Sequence, residues 1–392
     1  MSTIITPQRG FLIHSLPEES LPEDHVIGSY YIKASGVSVL KAAEEVAMEC
    51  STGTWTNVKY QTPEVDAKYG GKILNIIDLG GGKAIVRIAF PAVNYDPTYG
   101  SVEGILTGIA GNVFDMAVLD AVRLVDIEFP RSFAEAFPGP QHGAEGCRQR
   151  VGLSGSRRPM VGAIIKPNLG LDAKQLANMC HELTLGGLDL IKDDEDLIDP
   201  PYCRLHDRVV AVYEAVDRAK SQTGKETLYA VNVTARPDRV VELGEKAVEA
   251  GSRCLMVDMA WIGPSSIRAL AEDASTRKVP LHVHWAGHGA YTRSEEFGLS
   301  ELVVSKISRL CGADQFHQGT VGGKFVEHIS DKKRNVAALM GKWLHLNPTM
   351  PNASAAIHPG NIELNVAVMG WNIQLTAGGG IHGHPSGLTA GA

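Results

Sequence analysis

The sequence predicts an α/β protein in which a ferredoxin-like α+β domain precedes a C-terminal (β/α)8 TIM barrel. Three observations predict it. After Pro159, short apolar runs alternate with amphipathic stretches eight times, at about 25–40 residues per repeat. Before that, helical patterns lie between alternating strands that include a hairpin. Between the two, the stretch Phe137-Pro-Gly-Pro-Gln-His-Gly143 breaks both patterns, so the expected domains are 1–136 and 137–392.

Each element follows from its pattern. His25–Ala34 alternates and carries Val, Ile and two Tyr, which reads as a strand. Val37–Cys50 has apolar residues at helical spacing and breaks at Ser51–Gly53. Lys72–Leu79 and Lys83–Phe90, joined by Gly80–Gly82, read as a hairpin. Ser101–Ile109 reads as a helix and Val122–Phe129 as a strand. The barrel runs are Val161–Lys166, Leu188–Asp193, Leu228–Thr234, Cys254–Ala260, Leu281–Trp285, Ala313–Gln318, Ala353–His358 and Ile373–Ala377. Helical stretches such as Asp172–Leu185, Arg208–Gln222, Arg239–Ala250 and Ser300–Leu310 separate them. A doubly wound sheet is disfavoured, because no GxGxxG follows the first of these runs.

Composition removes whole classes of function. The 392 residues carry a net charge of −7 with no basic patch, which excludes a nucleic-acid binder. No apolar run approaches the roughly 18 residues that span a bilayer. Met1–Leu12 lacks the pattern of a secretory signal, so a cytoplasmic protein without membrane partners is expected. Six scattered cysteines without a CxxC pair read as reduced core residues.

In a barrel, chemistry sits where strands end. The first run ends in Lys166-Pro167-Asn168 and the second in Lys192-Asp193-Asp194-Glu195. The fifth ends in His282-Val283-His284-Trp285, the sixth in His317-Gln318-Gly319-Thr320, and the seventh carries Ser354 and His358. A lysine followed by acids is, in isolation, an ordinary solvated helix start. Here the acids extend an apolar strand, so that Lys192 and Asp194 share a face with Glu195 at the turn. Two carboxylates suit a hard cation such as Mg2+. An ammonium beside them would repel it, whereas a neutral amine can add CO2 and become an oxygen ligand. Gly378-Gly379-Gly380 after the last strand can bring backbone N–H groups close to a phosphate. Gly319–Lys324 is not a Walker loop; its glycines suit a hinged lid carrying Lys324.

Together these pieces resemble the RuBisCO large-subunit superfamily. Seven motifs carry the resemblance in order: Glu49–Trp55, Gly111–Phe114, Ile165–Pro167, Gly186–Glu195, His282–His288, His317–Lys324 and Gly378–Pro385. The resemblance implies that Lys192 becomes carbamylated and binds Mg2+ with Asp194 and Glu195. It also implies Lys166 as the acid/base lysine, His284 near the metal-bound oxygens and Lys324 as the lid lysine. Thr54, Trp55, Gly378 and Gly379 would cradle one phosphate. Glu49, Thr54, Trp55 and Asn112 would complete a partner's site in a homodimer or a multiple of it.

Three positions depart from the family pattern: Asn168 replaces a second lysine, Trp285 the arginine that grips a second phosphate, and Ala356 a glycine. His317 and Ser354 remain at that end. The expectation is therefore a RuBisCO-like (form IV) lyase or isomerase and not a ribulose-bisphosphate carboxylase. The expected reaction is decarboxylation of a 3-oxo sugar-acid monophosphate of the 3-oxo-isoapionate 4-phosphate type through an enediolate. Enolisation or isomerisation of a methylthio-sugar phosphate, and a non-catalytic sensor or scaffold, are the alternatives. The family normally continues past the point where this chain stops, Ala392, so a last barrel helix is expected to be missing.

Overall fold

The computed structural model describes residues 24–56, 58–324 and 328–392. Among these the strands run in chain order as β1 (His25–Lys33), β2 (Lys72–Gly80), β3 (Lys83–Pro91), β4 (Ala121–Glu128), β5 (Met160–Ile164), β6 (Leu190–Lys192) and β7 (Leu228–Asn232). Then follow β8 (Cys254–Asp258), β9 (Leu281–His284), β10 (Phe297–Leu299), β11 (Gln315–His317), β12 (Met350–Ser354) and β13 (Gln374–Ala377). The chain divides into two compact units: Met1–Phe137 with His288–Ile307, and Pro138–Gly287 with Ser308–Ala392.

The first unit is built on a sheet of order β10-β4-β1-β3-β2. β1 pairs antiparallel with β3 and β4, and β2 with β3 across the predicted hairpin. The helix Val39–Glu49 is capped by Ser38, whose hydroxyl accepts from the Lys41 N–H, and buries Ala42, Ala43, Val46 and Ala47. The helix Ser101–Ile109 buries Val102, Ile105 and Ile109, and its last carbonyl accepts the Tyr30 hydroxyl at 2.7 Å. This is the predicted ferredoxin-like layer with one addition. β10 joins the edge parallel to β4. Sequence reasoning missed it because three residues centred on Gly298, with φ +88°, show no alternation.

The second unit contains a closed parallel barrel, β5-β6-β7-β8-β9-β11-β12-β13. Successive strand residues point to opposite faces, and the inward set is sorted by height. Met160, Leu190, Leu228, Ala230, Cys254, Met256 and Met350 form an apolar cluster low in the strands. Burying each larger side chain contributes about 1.5–3 kcal/mol, which gives the barrel a firm floor. Above it the inward positions turn polar and remain buried: Lys192, Asn232, Asp258, His282, Gln315, His317, Asn352, Gln374 and Thr376.

The seventh barrel strand lies earlier than predicted, at Met350–Ser354 rather than Ala353–His358. Pro351 and Asn352 read as breakers in the sequence, yet the barrel accepts Pro351 opposite Phe316. His358 therefore does not end a strand. It caps the helix Pro359–Met369, its ring nitrogen accepting from the Gly360 N–H at 3.1 Å. All six cysteines are free and buried. No helix among the described residues is long and apolar enough to cross a membrane.

Candidate functional site

The ends of β5 and β6 bring two lysines and two carboxylates together. Lys192 is fully buried, and its Nζ donates to the Asp193 carbonyl at 2.7 Å and lies 3.7 Å from Glu195 Oε2. Burial pushes its ammonium down from the ordinary lysine value, against the pull of Glu195, Asp194 and Asp193. Lys166 Nζ donates to Asp194 Oδ2 at 2.7 Å and to Asn168 Oδ1 at 2.6 Å. Asn168 thus stands within reach of the first lysine although it carries no charge of its own.

Glu195 faces Lys192 on one side and His284 Nε2 at 3.5 Å on the other. Burial works against its ionisation, but His284, Lys192 and the residue's own backbone N–H outweigh that and hold the carboxyl below the usual range. Its Oε2 is buried without a hydrogen-bond partner. His284 is oriented by Asp258, whose Oδ2 lies 3.0 Å from Nδ1 and also accepts the Ala286 N–H at 2.6 Å. The imidazole therefore turns Nε2 toward Glu195.

Asp193 points the other way and anchors the loop. Its carboxylate accepts from the Tyr229 hydroxyl, from the Asn232 N–H at 2.9 Å and from Arg208 Nη2 at 3.1 Å. Asn232 Nδ2 in turn donates to the Asp194 and Glu195 carbonyls at 3.3 and 2.8 Å. The backbone that presents the two carboxylates is thereby held from behind.

A second cluster lies along β9, β11 and β12. His282 Nε2 is 2.8 Å from His317 Nε2, and His317 Nδ1 is 2.8 Å from Ser354 Oγ. His317 also packs edge-on to His284, ring centroids 4.2 Å apart. Trp285 is only 4% exposed and packs T-shaped on Phe316 at 4.9 Å, so its indole fills core volume.

Gly378 closes the approach to Lys166: a Cβ there would come within 2.9 Å of Ile164 Cγ2 and 3.5 Å of Lys166 Cε. Gly379 begins a short turn of helix to His382, whose Nε2 lies 2.9 Å from the Ile164 carbonyl. Lys324 is exposed and ends the described stretch that holds Gly319 and Gly322, both at positive φ. In the other unit, Asn112 Nδ2 donates to Glu49 Oε1 at 3.2 Å, while Thr54 and Trp55 are exposed, Trp55 at 93%.

The residues fit a divalent cation once Lys192 carries a carbamate in place of its ammonium. Among the described residues no three His, Cys, Asp or Glu side chains are placed to hold a metal. Asp194 and the orphaned Glu195 oxygen supply two carboxylates, and a carbamate on buried Lys192 would supply a third oxygen donor. Sequence reasoning named Asp193 and His282 at the strand ends without giving either a role, and missed Asp258 and Gln315. Alternation along His282-Val283-His284 was a signal for His282, since both rings must share a face.

The family model for the ribulose bisphosphate carboxylase large chain, catalytic domain, matches residues 146–392, and that for its N-terminal domain matches residues 17–133. A ribulose bisphosphate carboxylase of Methanocaldococcus jannaschii is 36% identical over 375 residues, covering 91% of this chain and 87% of the relative. A ribulose bisphosphate carboxylase-like protein of Archaeoglobus fulgidus is 36% identical over 392 residues, covering 96% and 87%. The crystal structure of octameric ribulose-1,5-bisphosphate carboxylase/oxygenase from Pyrococcus horikoshii matches with a TM-score of 0.88 at 33% identity, covering 95% of this chain and 86% of that one. The chain therefore belongs to the ribulose bisphosphate carboxylase large-chain family. The expectation that it is not a ribulose-bisphosphate carboxylase is corrected: relatives matched over nine-tenths of the chain carry that name. Its error was to let three exchanged side chains, Asn168, Trp285 and Ala356, decide the class against a matching scaffold.

Proposed function

We propose that this family member forms an enediolate on a phosphorylated sugar derivative, by decarboxylation of a 3-oxo sugar-acid phosphate of the 3-oxo-isoapionate 4-phosphate type. The observation that carries this reading is the pairing of Lys166 with Asp194 beside buried Lys192 and the orphaned oxygen of Glu195. Lys192 as its carbamate, Asp194 and Glu195 would hold Mg2+, which when bound supplies Lewis-acid stabilisation of negative charge on neighbouring substrate oxygens. Lys166, which donates to Asp194, would hold or deliver the proton at the reacting carbon. The bond from the carboxyl carbon to the substrate's C2 breaks, CO2 leaves, the electron pair becomes the enediolate, and a proton returns to C2. Asp258 at Nδ1 and Glu195 at Nε2 would hold the His284 ring in a fixed orientation beside the substrate oxygens.

The indole of Trp285 offers one N–H where a guanidinium would offer a fork, which supports a substrate with one phosphate, seated by Gly378 and Gly379. Form IV character is part of the same proposal. So is a homodimer or a multiple of it, in which Glu49, Thr54, Trp55 and Asn112 complete the partner's site; the octameric relative supports it. The second reading is carboxylation of ribulose bisphosphate, which passes through the same kind of enediolate and is favoured by the names of the matched carboxylases.

The test is mass spectrometry of protein with Mg2+, bicarbonate and each of three candidates. These are a 3-oxo sugar-acid phosphate, a methylthio-sugar phosphate and ribulose bisphosphate. Loss of CO2 from the first supports the proposal. Conversion of ribulose bisphosphate to phosphoglycerate, or of the methylthio compound to an isomer, with the first unchanged, overturns it. Inertness toward all three with Mg2+ and CO2 present overturns it in favour of a sensor or scaffold.

A further inference from the structure

We infer that Asn361 and Asn365, one turn apart on the helix Pro359–Met369, are positioning residues that tie the loop after β11 to the loop after β12 and so set where Lys324 stands. The inference rests on the reading of the barrel mouth as the reaction site and adds residues that act on it from behind. At this spacing both side chains project from one face of the helix. Asn365 is fully buried and Asn361 nearly so. An asparagine amide offers an acceptor oxygen and two N–H donors, and Asn365 uses all of them. Its Oδ1 accepts the Val321 N–H at 2.9 Å, and its Nδ2 donates to the Val321 carbonyl at 3.1 Å and to the Asn361 carbonyl at 2.8 Å. It therefore grips both backbone groups of a single residue, as a neighbouring β-strand would. Asn361 does the same for the other loop. Its Oδ1 accepts the His358 N–H at 3.0 Å, and its Nδ2 donates to the Ala356 carbonyl at 2.9 Å. That loop holds Ala355 and Ala356 at positive φ, so it needs support from outside.

The loop after β11 is anchored step by step as far as Val321. The Gln318 N–H donates to the Asn352 carbonyl at 2.9 Å, and the Gln318 carbonyl accepts from the buried Lys332 Nζ. Thr320 Oγ1 donates to the Ser354 carbonyl. Asn365 supplies the last of these anchors. Beyond it, Gly322 and Gly323 make no hydrogen bond to another element among the described residues, and the Gly323 N–H turns back to the Thr320 carbonyl at 3.1 Å. Gly323 passes so close to the other loop that a Cβ there would come within 2.5 Å of the Ala355 carbonyl oxygen. Lys324 thus stands just past a buried clamp, and the helix refers its stem to the loop of Ala355 and Ala356. Leucine, of similar size, would fill the place of either asparagine and make none of its bonds.

Hydrogen exchange at single amides of the full chain, read by electron-transfer mass spectrometry, tests the clamp without any ligand. In the wild type the Val321 amide should exchange at least about a hundredfold more slowly than that of Gly322, each relative to its unfolded rate. Equal protection overturns the inference, whether or not any variant folds. Asn365→Leu should remove the difference, whereas Asn361→Leu should speed His358 and leave Val321 slow. A Val321 amide that stays slow in Asn365→Leu overturns it as well. A nitroxide on Lys324→Cys reads the consequence, since the native cysteines are all buried. Its spectrum should gain a more mobile component when Asn365→Leu is added, and an unchanged spectrum overturns the inference. With whichever candidate substrate is converted, Asn365→Leu should lower kcat about tenfold, and the double variant with Lys324→Met should be no slower than Lys324→Met alone. Additive losses would show that Asn365 does not act through Lys324. If the exchange and spin-label results hold while no candidate turns over, the enediolate reading fails and the positioning does not.

Discussion

A lysine between two acids is a salt bridge until its charge is removed, and Lys192 is placed where that removal is favoured. Burial lowers the cost of the neutral amine, and Glu195 holds out an oxygen that no hydrogen bond satisfies. Lys192→Met should abolish turnover, while Lys192→Glu should retain a trace, read as kcat at saturating Mg2+ and CO2. His282 gives a pH dependence of known sign. Its folded value is depressed to about 3, so the unfolded chain binds the extra proton below pH 6.5 and stability falls as the pH drops. Between pH 7 and pH 5 this one group should cost about 2 kcal/mol in urea unfolding, and His282→Gln should remove that part of the slope. Trp285→Arg would bury a guanidinium against Phe316, so it should destabilise by about 3 kcal/mol in the same assay. The acids and lysines of this cluster were legible because they extend apolar strands. Asp258 was not, because its role is to orient His284, and nothing along the chain near residue 258 points across to the next strand.

At the scale of elements, the loop after β6 is the part that most needs support. Arg208, on the helix Leu205–Thr223, reaches back to Asp193 while donating to the Cys203 carbonyl at 2.8 Å and the Ile198 carbonyl at 2.7 Å. Arg208→Met should leave Asp193 as an uncompensated buried charge and cost about 3–5 kcal/mol, measured by chemical denaturation. Beyond β12, Ala355 and Ala356 sit at φ +79° and +67°, and Asn361 Nδ2 donates to the Ala356 carbonyl at 2.9 Å. A side chain in that left-handed region is strained, so Ala356→Gly should stabilise the protein by about 0.5–1 kcal/mol. Most barrel strands were legible to within a few residues because each is a short apolar run between helices. β12 was not, because its inward residue Asn352 is polar and its neighbour is Pro351, so the local pattern argues for a turn while the closed barrel requires a strand.

At the scale of the whole molecule, the β/α alternation made the barrel legible and the order of motifs made the family legible, whereas the reaction was not. A scaffold matched over nine-tenths of the chain hosts several chemistries, and the choice among them rests on a few side chains at strand ends. If Glu49 and Asn112 act in a partner's site, mixing inactive Glu49→Gln and Lys166→Met chains should restore about a quarter of wild-type activity through heterodimers with one intact site. No recovery would show that each chain works alone. The account turns above all on Lys192 becoming a metal ligand by taking up CO2. Carbon-13 NMR of the protein with labelled bicarbonate and Mg2+ measures that directly. A single Mg2+-dependent carbamate signal, absent in Lys192→Met, is the result the account predicts. A protein that turns over its substrate under those conditions with no such signal would contradict it.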